Sequence, residues 1–401
     1  MFLSSLIARN RAFLEASVQL HQDNLIPANS YVLDLDAVEA NTRHMAAEAH
    51  RRRLKVYAMS KQVGRAPGAL RAITDGGADG YVAVDMACAR PIVANGHRLG
   101  NLGHLVQVPR AEAGEAASLA PEYWTIFSRN KALEASQAVS GGDRTQPVLL
   151  RVWDEGDVFY PGHEGGFHVD ELSAAIEFVN RLDGLTFAGL TTFPALLYDA
   201  ETRRVKPTPN VETLARGVEV ALGRLGTGFP IEVNAPGTTS TAVLGLLAEI
   251  GATQIEPGHG LTGTTPLHAV EDLPEQPAVL YLTEIAHLHQ DVPLCFGGGL
   301  YVDPVFDPYQ TKVVAAGDPE EVGLEPVRID MPDPAGIDYY ARLHPPEGRR
   351  LQEGDTVIAG FRIQAFVTRS LVVGVKGVSV GNPVVSGIWN VDGAPVDWGR
   401  R

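Results

Sequence analysis

A lysine that closes an apolar run is the first residue of this chain whose position suggests chemistry. In Leu54-Lys55-Val56-Tyr57-Ala58-Met59-Ser60-Lys61-Gln62-Val63-Gly64-Arg65, the residues Val56, Ala58 and Met59 read as a buried strand that stops at Lys61. Gln62 and Gly64 then mark a loop. Lys61 therefore stands at a strand's carboxyl end, the rim where catalytic side chains gather in a βα-repeat barrel. A partly desolvated ammonium there has a lowered pKa, which favours the neutral amine needed to form a Schiff base. The alternative is a rim lysine whose stem packs on apolar surface while its charge stays in water.

Two turns carry complementary chemistry. Asn234-Ala235-Pro236-Gly237-Thr238-Thr239-Ser240 ends an apolar run and opens a helical one. Clustered hydroxyls beside free helix N–H groups suit a phosphate dianion, although Thr and Ser are also ordinary caps. Glu256-Pro257-Gly258-His259-Gly260 ends the next strand, and its glycines let backbone N–H groups approach a ligand. The Glu256 carboxylate, aimed at a barrel mouth, could keep a heteroaromatic nitrogen protonated; pairing with an arginine is the other fate of such a group. His104 and Gln107 on the third strand, and Thr192 near the end of the sixth, are plausible cofactor neighbours. The glycine-rich loop at 160–167 could shape a substrate side or simply be a surface loop. His287 and His289 share a face of a polar strand, where a solvated edge is the plainer reading than a metal site. Gly297-Gly298-Gly299 could bind an anion, but it lies in a turn-rich region.

These residues need elements to hold them. Strand-like runs at 56–60, 80–84, 104–108, 123–127, 148–152, 187–193, 231–234 and 253–256 alternate with Ala-, Leu- and Glu-rich helical stretches. That rhythm predicts a (β/α)8 barrel at 27–270, with a leading strand at 31–35, preceded by an N-terminal helix within 1–26. A doubly wound sheet is the alternative, disfavoured because no Gly-x-Gly-x-x-Gly turn follows a strand. After residue 270 short strands between Gly, Pro and Asp turns predict an all-β domain at 271–401.

Composition narrows the classes of partner. A formal net charge of −15 without a basic block speaks against nucleic acid and anionic membranes. Two cysteines, Cys88 and Cys295, cannot build a disulfide framework, and no apolar run is long enough to span a bilayer. The expectation is a cytoplasmic protein acting on a small molecule.

Taken together and in this order, the pieces resemble the fold type III family of pyridoxal phosphate (PLP) enzymes, which includes alanine racemase, ornithine-type decarboxylases and D-threonine aldolase. The resemblance spans the whole chain and is nearest to the YhfX-like branch. It is carried by the segments 57–64, 103–109, 189–197, 234–240, 256–263, 297–299, 336–340 and 361–370. It implies that Lys61 is the Schiff-base lysine and, once displaced by a substrate amine, a base at Cα. It implies further that Thr239, Ser240 and the backbone of Gly258 and His259 hold the phosphate, and that Glu256 binds the pyridine nitrogen. His104 and Asn234 would border the cofactor. Glu256 matches the decarboxylase and aldolase side; alanine racemase has an arginine there. Where many members stack a histidine on the ring, this chain has Thr192. Tyr301, Tyr339 and Tyr340 are candidates for the second base that alanine racemase draws from a partner's β-domain, which implies a homodimer. The implied activity is amino-acid racemisation, with decarboxylation or a lyase reaction, and then a non-catalytic PLP carrier, as alternatives. No metal is implied.

Overall fold

The computed structural model describes residues 2–297, 311–331, 337–362 and 370–399. The chain divides into two compact units, one of residues 1–42, 62–76 and 259–401 and the other of residues 43–61 and 77–258. The first strand, β1 (Ser30–Asp34), belongs to the former. The latter contains β2 (Lys55–Met59), β3 (Gly80–Ala83), β4 (Leu99–Leu102), β5 (Tyr123–Ile126), β6 (Gln146–Trp153), β7 (Phe167–His168), β8 (Leu185–Thr191), β9 (Leu196–Asp199), β10 (Arg204–Pro207), β11 (Glu232–Asn234) and β12 (Gln254–Ile255).

Eight of these strands close a ring. The order β2-β3-β4-β5-β6-β8-β11-β12 returns to β2, and every neighbouring pair is parallel. The strands are short and buried almost throughout, as in parallel sheets covered on both faces. β7 adds to the edge of β6, and β9 and β10 form a separate hairpin. The connecting helices start on local signals: the Asp85 side chain accepts from the Cys88 N–H, and Ser128 from that of Lys131. The expected (β/α)8 barrel is present.

The amino ends of the strands are tied by one ionic cluster. Lys55 Nζ lies 2.8 Å from Glu232 Oε1 and 3.0 Å from the Tyr123 hydroxyl, which itself donates to Glu232 at 2.8 Å. Thr253 and Gln254 bond the other Glu232 oxygen at 2.5 and 3.2 Å. Burial pushes the Glu232 carboxyl up, but bonds from Lys55, Thr253 and Tyr123 more than offset it and leave it below its ordinary value. Its contribution to stability is thus present above the ordinary carboxylate range and lost as pH falls through it. Glu232→Ala is expected to cost about 1–3 kcal/mol in urea unfolding at neutral pH. Activity should be retained, because these are the amino ends of the strands, opposite the carboxyl ends where the sequence places the candidate catalytic residues. A loss of turnover without loss of stability would contradict that assignment.

The other unit begins with α1 (Phe2–Arg9) and α2 (Arg11–Gln22), then β1, and resumes with β13 (Val279–His289), β14 (Val292–Phe296), β15 (Lys312–Ala316), β16 (Val327–Asp330), β17 (Tyr340–His344), β18 (Thr356–Ala359), β19 (Leu371–Lys376) and β20 (Val384–Trp389). Strands β13, β14, β17, β16, β15 and β18 close an antiparallel ring, and β1, β19 and β20 extend the sheet from β13. Leu6, Phe13, Leu14 and Val18 of the two helices pack with Val32, Leu280, Leu282, Ile358 and Val373.

Three expectations are corrected here. The leading strand does not pair in the barrel: β1 runs antiparallel to β13 and parallel to β19. An all-buried strand is apolar on both faces whichever sheet it joins, so its sequence carries no address. The N-terminal helix is two helices, not one, and it is packed into this unit's core. It breaks at Asn10, whose side-chain amide donates to Asp34 at 3.1 Å and to the Pro277 carbonyl at 2.9 Å. His104 and Gln107 are not on a strand. β4 ends at Leu102, and Gly103, at a φ of +80°, turns the chain out of it.

Candidate active site

The carboxyl ends of the barrel strands converge on one buried carboxylate. Glu256 follows β12 directly, and the turn after it is held when the Met59 N–H at the end of β2 donates to the Pro257 carbonyl at 2.8 Å. Glu256 Oε1 accepts two amide bonds of 2.9 Å, from Asn101 on β4 and Asn234 on β11. Those amides are themselves anchored. Thr125 on β5 donates to Asn101 Oδ1 at 2.8 Å, and Asn234 Nδ2 also reaches Thr191 Oγ1 of β8 at 3.2 Å. Five strand ends thus orient one side chain, and its second oxygen is left without a hydrogen-bond partner.

That oxygen, Oε2, lies 3.1 Å from His104 Nε2, with both side chains out of solvent. The separation is that of an ion pair, but the alignment is too poor for a hydrogen bond. Burial pushes the Glu256 carboxyl up to about 7, against the bonds from Asn234 and Asn101 and the positive charge of Lys61. The same burial, with the charges of Arg151 and Lys61, holds His104 well below the ordinary imidazole value. Lys61 opens the turn Lys61–Val63 after β2, half-buried, and its charge acts on both groups.

Arg151, at the end of β6, is 1% exposed. Its Nη2 donates to the carbonyls of His163 at 2.7 Å and Phe193 at 3.1 Å, and the rings of Phe127 and Phe159 lie 4.8 and 5.5 Å from the guanidinium carbon. Nε and Nη1 have no partner. Burial lowers this guanidinium to about 10, and a charge so placed is stabilised by an anion. Phe193 in turn packs against Tyr160 and His163 at 5.7 and 6.4 Å and edge-on against His104 at 5.6 Å. The glycine-rich loop is therefore one side of an aromatic wall.

The hydroxyl-rich turn after β11 is fastened to the chain at 195–196. The Ala195 N–H donates to the Pro236 carbonyl at 2.8 Å, and that of Thr238 to Leu196 at 3.0 Å. At Gly237 a Cβ would meet the Leu196 carbonyl oxygen at 2.5 Å, so only glycine fits this approach. Ser240 Oγ and Thr192 Oγ1 are buried without partners, whereas Thr239 donates to the Gly237 carbonyl at 3.3 Å.

Of the residues singled out from sequence, Lys61, His104, Asn234 and Glu256 are brought together. Thr192, Thr239, Ser240 and Gly258 lie at ends of barrel strands or the turns that follow them. His259 opens the other unit's last segment. Tyr339 and Tyr340 are exposed on the β-domain, while Tyr301, Gly298, Gly299 and Gly336 lie outside the described residues. His287 packs edge-on against Tyr340 at 4.9 Å. Cys295 is buried, and burial pushes its thiol up to about 12. Asn101, Thr125 and Arg151 were missed. The signal for Arg151 was available, since an arginine inside Val148-Leu149-Leu150-Arg151-Val152 is a charge in a buried strand.

Residues 33–266 match the alanine racemase N-terminal domain and residues 280–385 the YhfX-like C-terminal domain. The chain belongs to the alanine racemase-like, fold type III family, in the branch that carries the YhfX-like C-terminal domain. It is 36% identical to the uncharacterized protein YhfX of Escherichia coli K12 over 393 residues, covering 96% of this chain and 97% of that one. Its fold is that of D-threonine aldolase from Filomicrobium marinum (TM-score 0.63, 19% identity, 92% and 96% of the two chains). It is also that of alanine racemase from Corynebacterium glutamicum (TM-score 0.59, 14% identity, 83% and 90%). No helix among the described residues is long and apolar enough to cross a membrane.

Proposed function

We propose that this protein is a PLP-dependent enzyme acting at the Cα of an amino acid, and that it is a racemase. The observation that supports the cofactor reading is the Glu256 carboxylate, clamped through one oxygen by Asn101 and Asn234 while the other, 3.1 Å from His104 Nε2, is left without a hydrogen bond; the racemase assignment within it follows the family resemblance. The cofactor fits the donor set. Glu256 Oε2 suits a protonated ring nitrogen, Ser240 Oγ an oxygen of a phosphate, and Arg151 Nε and Nη1 a further anionic group, all buried and unpaired. When bound, PLP supplies an electron sink for the charge that develops at Cα.

The chain's own residues do the rest. Lys61 carries the cofactor through its amine and then moves the proton at Cα. Glu256 holds the ring nitrogen's proton in place, while Asn101 and Asn234 keep the carboxylate from rotating away. Ser240, Thr239 and the Gly258 backbone hold the phosphate. Arg151, with its aromatic wall, orients the substrate carboxylate and excludes water from it. A racemase needs a second proton-moving group on the opposite face. By the family resemblance, a partner subunit's β-domain supplies it, in a cytoplasmic homodimer.

A lyase or decarboxylase is the second reading, favoured by Glu256, which in the resemblance belongs to the decarboxylase and aldolase side. A panel of single-enantiomer amino acids separates the two. Loss of optical rotation with the amino acid intact supports racemisation; release of amine, aldehyde or ammonia overturns it in favour of the alternative.

A further inference from the structure

Past the ends of β8 and β11 the chain does something that closing a barrel does not require. The two strands pair in parallel as far as Thr191 and Asn234. Their continuations then stay side by side. The Thr192 N–H donates to the Asn234 carbonyl at 3.4 Å, that of Ala195 to Pro236 at 2.8 Å and that of Thr238 to Leu196 at 3.0 Å. Ala195 and Leu196 are wholly buried, so residues 194–196 form a fixed seat along the hydroxyl-rich turn.

Gly237 sets how closely turn and seat approach. A Cβ there would stand 2.5 Å from the Leu196 carbonyl oxygen and 2.6 Å from its nitrogen. Both are backbone atoms, so no side chain can rotate away to make room. The φ of Gly237 is not in the left-handed region, and what this position needs from glycine is space alone. Within the turn, the Thr239 hydroxyl donates to the Gly237 carbonyl at 3.3 Å, and Ser240, 1% exposed, keeps its Oγ unpartnered. Any displacement at Gly237 is passed on to these two hydroxyls.

The seat itself is held from another direction by the root of the β9–β10 hairpin. Leu196 pairs with Pro207. The Thr208 N–H donates to the Ala195 carbonyl at 2.9 Å, and the Thr208 hydroxyl to that of Pro194 at 2.6 Å. β10 is largely exposed and adds little to the core. The contribution of the hairpin lies at its root.

We propose that Gly237 and Thr208 are positioning residues for a phosphate group: Thr208 fixes the seat at 194–196, and Gly237 lets the turn settle on it so that Ser240 Oγ meets the phosphate. That the phosphate belongs to PLP rests on the reading above; the seating of the turn does not.

The test begins with inorganic phosphate and the full-length protein without cofactor, with binding followed by calorimetry. Gly237→Ala is expected to weaken phosphate at least about tenfold, the effect of losing one hydrogen bond to a charged group. Thr208→Val, which keeps the shape and removes the hydroxyl, is expected to weaken it by a smaller factor of about three, and Thr208→Ser to restore it. Unchanged affinity in variants that still fold would refute the proposal, as would a wild-type protein that binds no phosphate. Should Gly237→Ala fail to fold, the Thr208 pair decides. A second comparison sets PLP against pyridoxal, which lacks the phosphate. The variants should weaken PLP and leave pyridoxal unchanged, whereas an equal loss for both would mean a general disturbance of the barrel and would also refute it. Phosphate bound without PLP would count against the cofactor and leave the seating intact. PLP bound equally well by wild type and variants would do the reverse.

Discussion

Lys61→Ala is expected to lower kcat/KM on amino-acid substrates by at least about a thousandfold, because in the proposed scheme one substitution removes both the amine that carries the cofactor and the base at Cα. The fold should be untouched. Lys61 stands half-buried in the turn after β2 and is not one of the buried apolar side chains that hold the barrel together. The companion observation is spectroscopic. The purified wild-type protein, reconstituted with PLP, should show a violet-absorbing band that borohydride fixes on the Lys61 peptide, and the variant should show no covalent product. Racemisation retained at near wild-type rate in Lys61→Ala would sink the scheme, and a wild-type protein that PLP cannot colour would remove its premise.

Glu256→Gln should trade activity for stability. The amide is isosteric and its carbonyl can still accept from Asn101 and Asn234, so the clamp survives, but the negative charge offered to a ring nitrogen is gone. Losing a preorganised charge of this kind costs about 3 kcal/mol of transition-state stabilisation, about a hundredfold in kcat. The stability term has the opposite sign. Burial raises the Glu256 carboxyl from 4.5 to about 7, so without cofactor the folded state binds a proton more tightly than the unfolded chain does. Stability is therefore greatest below the unfolded value and falls as pH rises through about 7, by about 3 kcal/mol in all. Cofactor-free Glu256→Gln lacks that loss. In urea melts at pH 8 it should be more stable than wild type, and the gap should close towards pH 5. A variant that is less stable at every pH would show that the carboxylate is net stabilising in its site. Added PLP should reverse the order at pH 8, because a cationic partner stabilises the ionised form.

Much of the architecture was legible because it is periodic. Alternating apolar runs and Ala/Leu-rich stretches specify strands and helices by the spacing of residues that must be buried, and the change of rhythm after residue 270 marks the change of fold class. Lys61 and Glu256 were legible for a related reason. Each interrupts or ends an apolar run with a charge, and in a parallel barrel such positions fall on the rim. β1 falls within the barrel's expected bounds but pairs in the other sheet, because full burial on both faces looks the same in either, and the break at Asn10 was invisible because its partners are Asp34 and Pro277.

What the amino-acid sequence by itself determined is the element types, the barrel and β-domain classes, and the residue types at the strand ends. What only the tertiary structure decided is who faces whom. Asn101, Thr125, Thr191 and Asn234 come from four strands spread over 134 residues, and nothing in their local sequence says that they meet around one carboxylate. Hydrogen bonds act over about 3 Å, so they are set by the closure of the ring and not by spacing along the chain. The same closure encloses Arg151 and His104, and enclosure is what shifts their proton affinities and that of Glu256. Desolvation belongs to a side chain's surroundings, and the surroundings exist only once the eight strands have met.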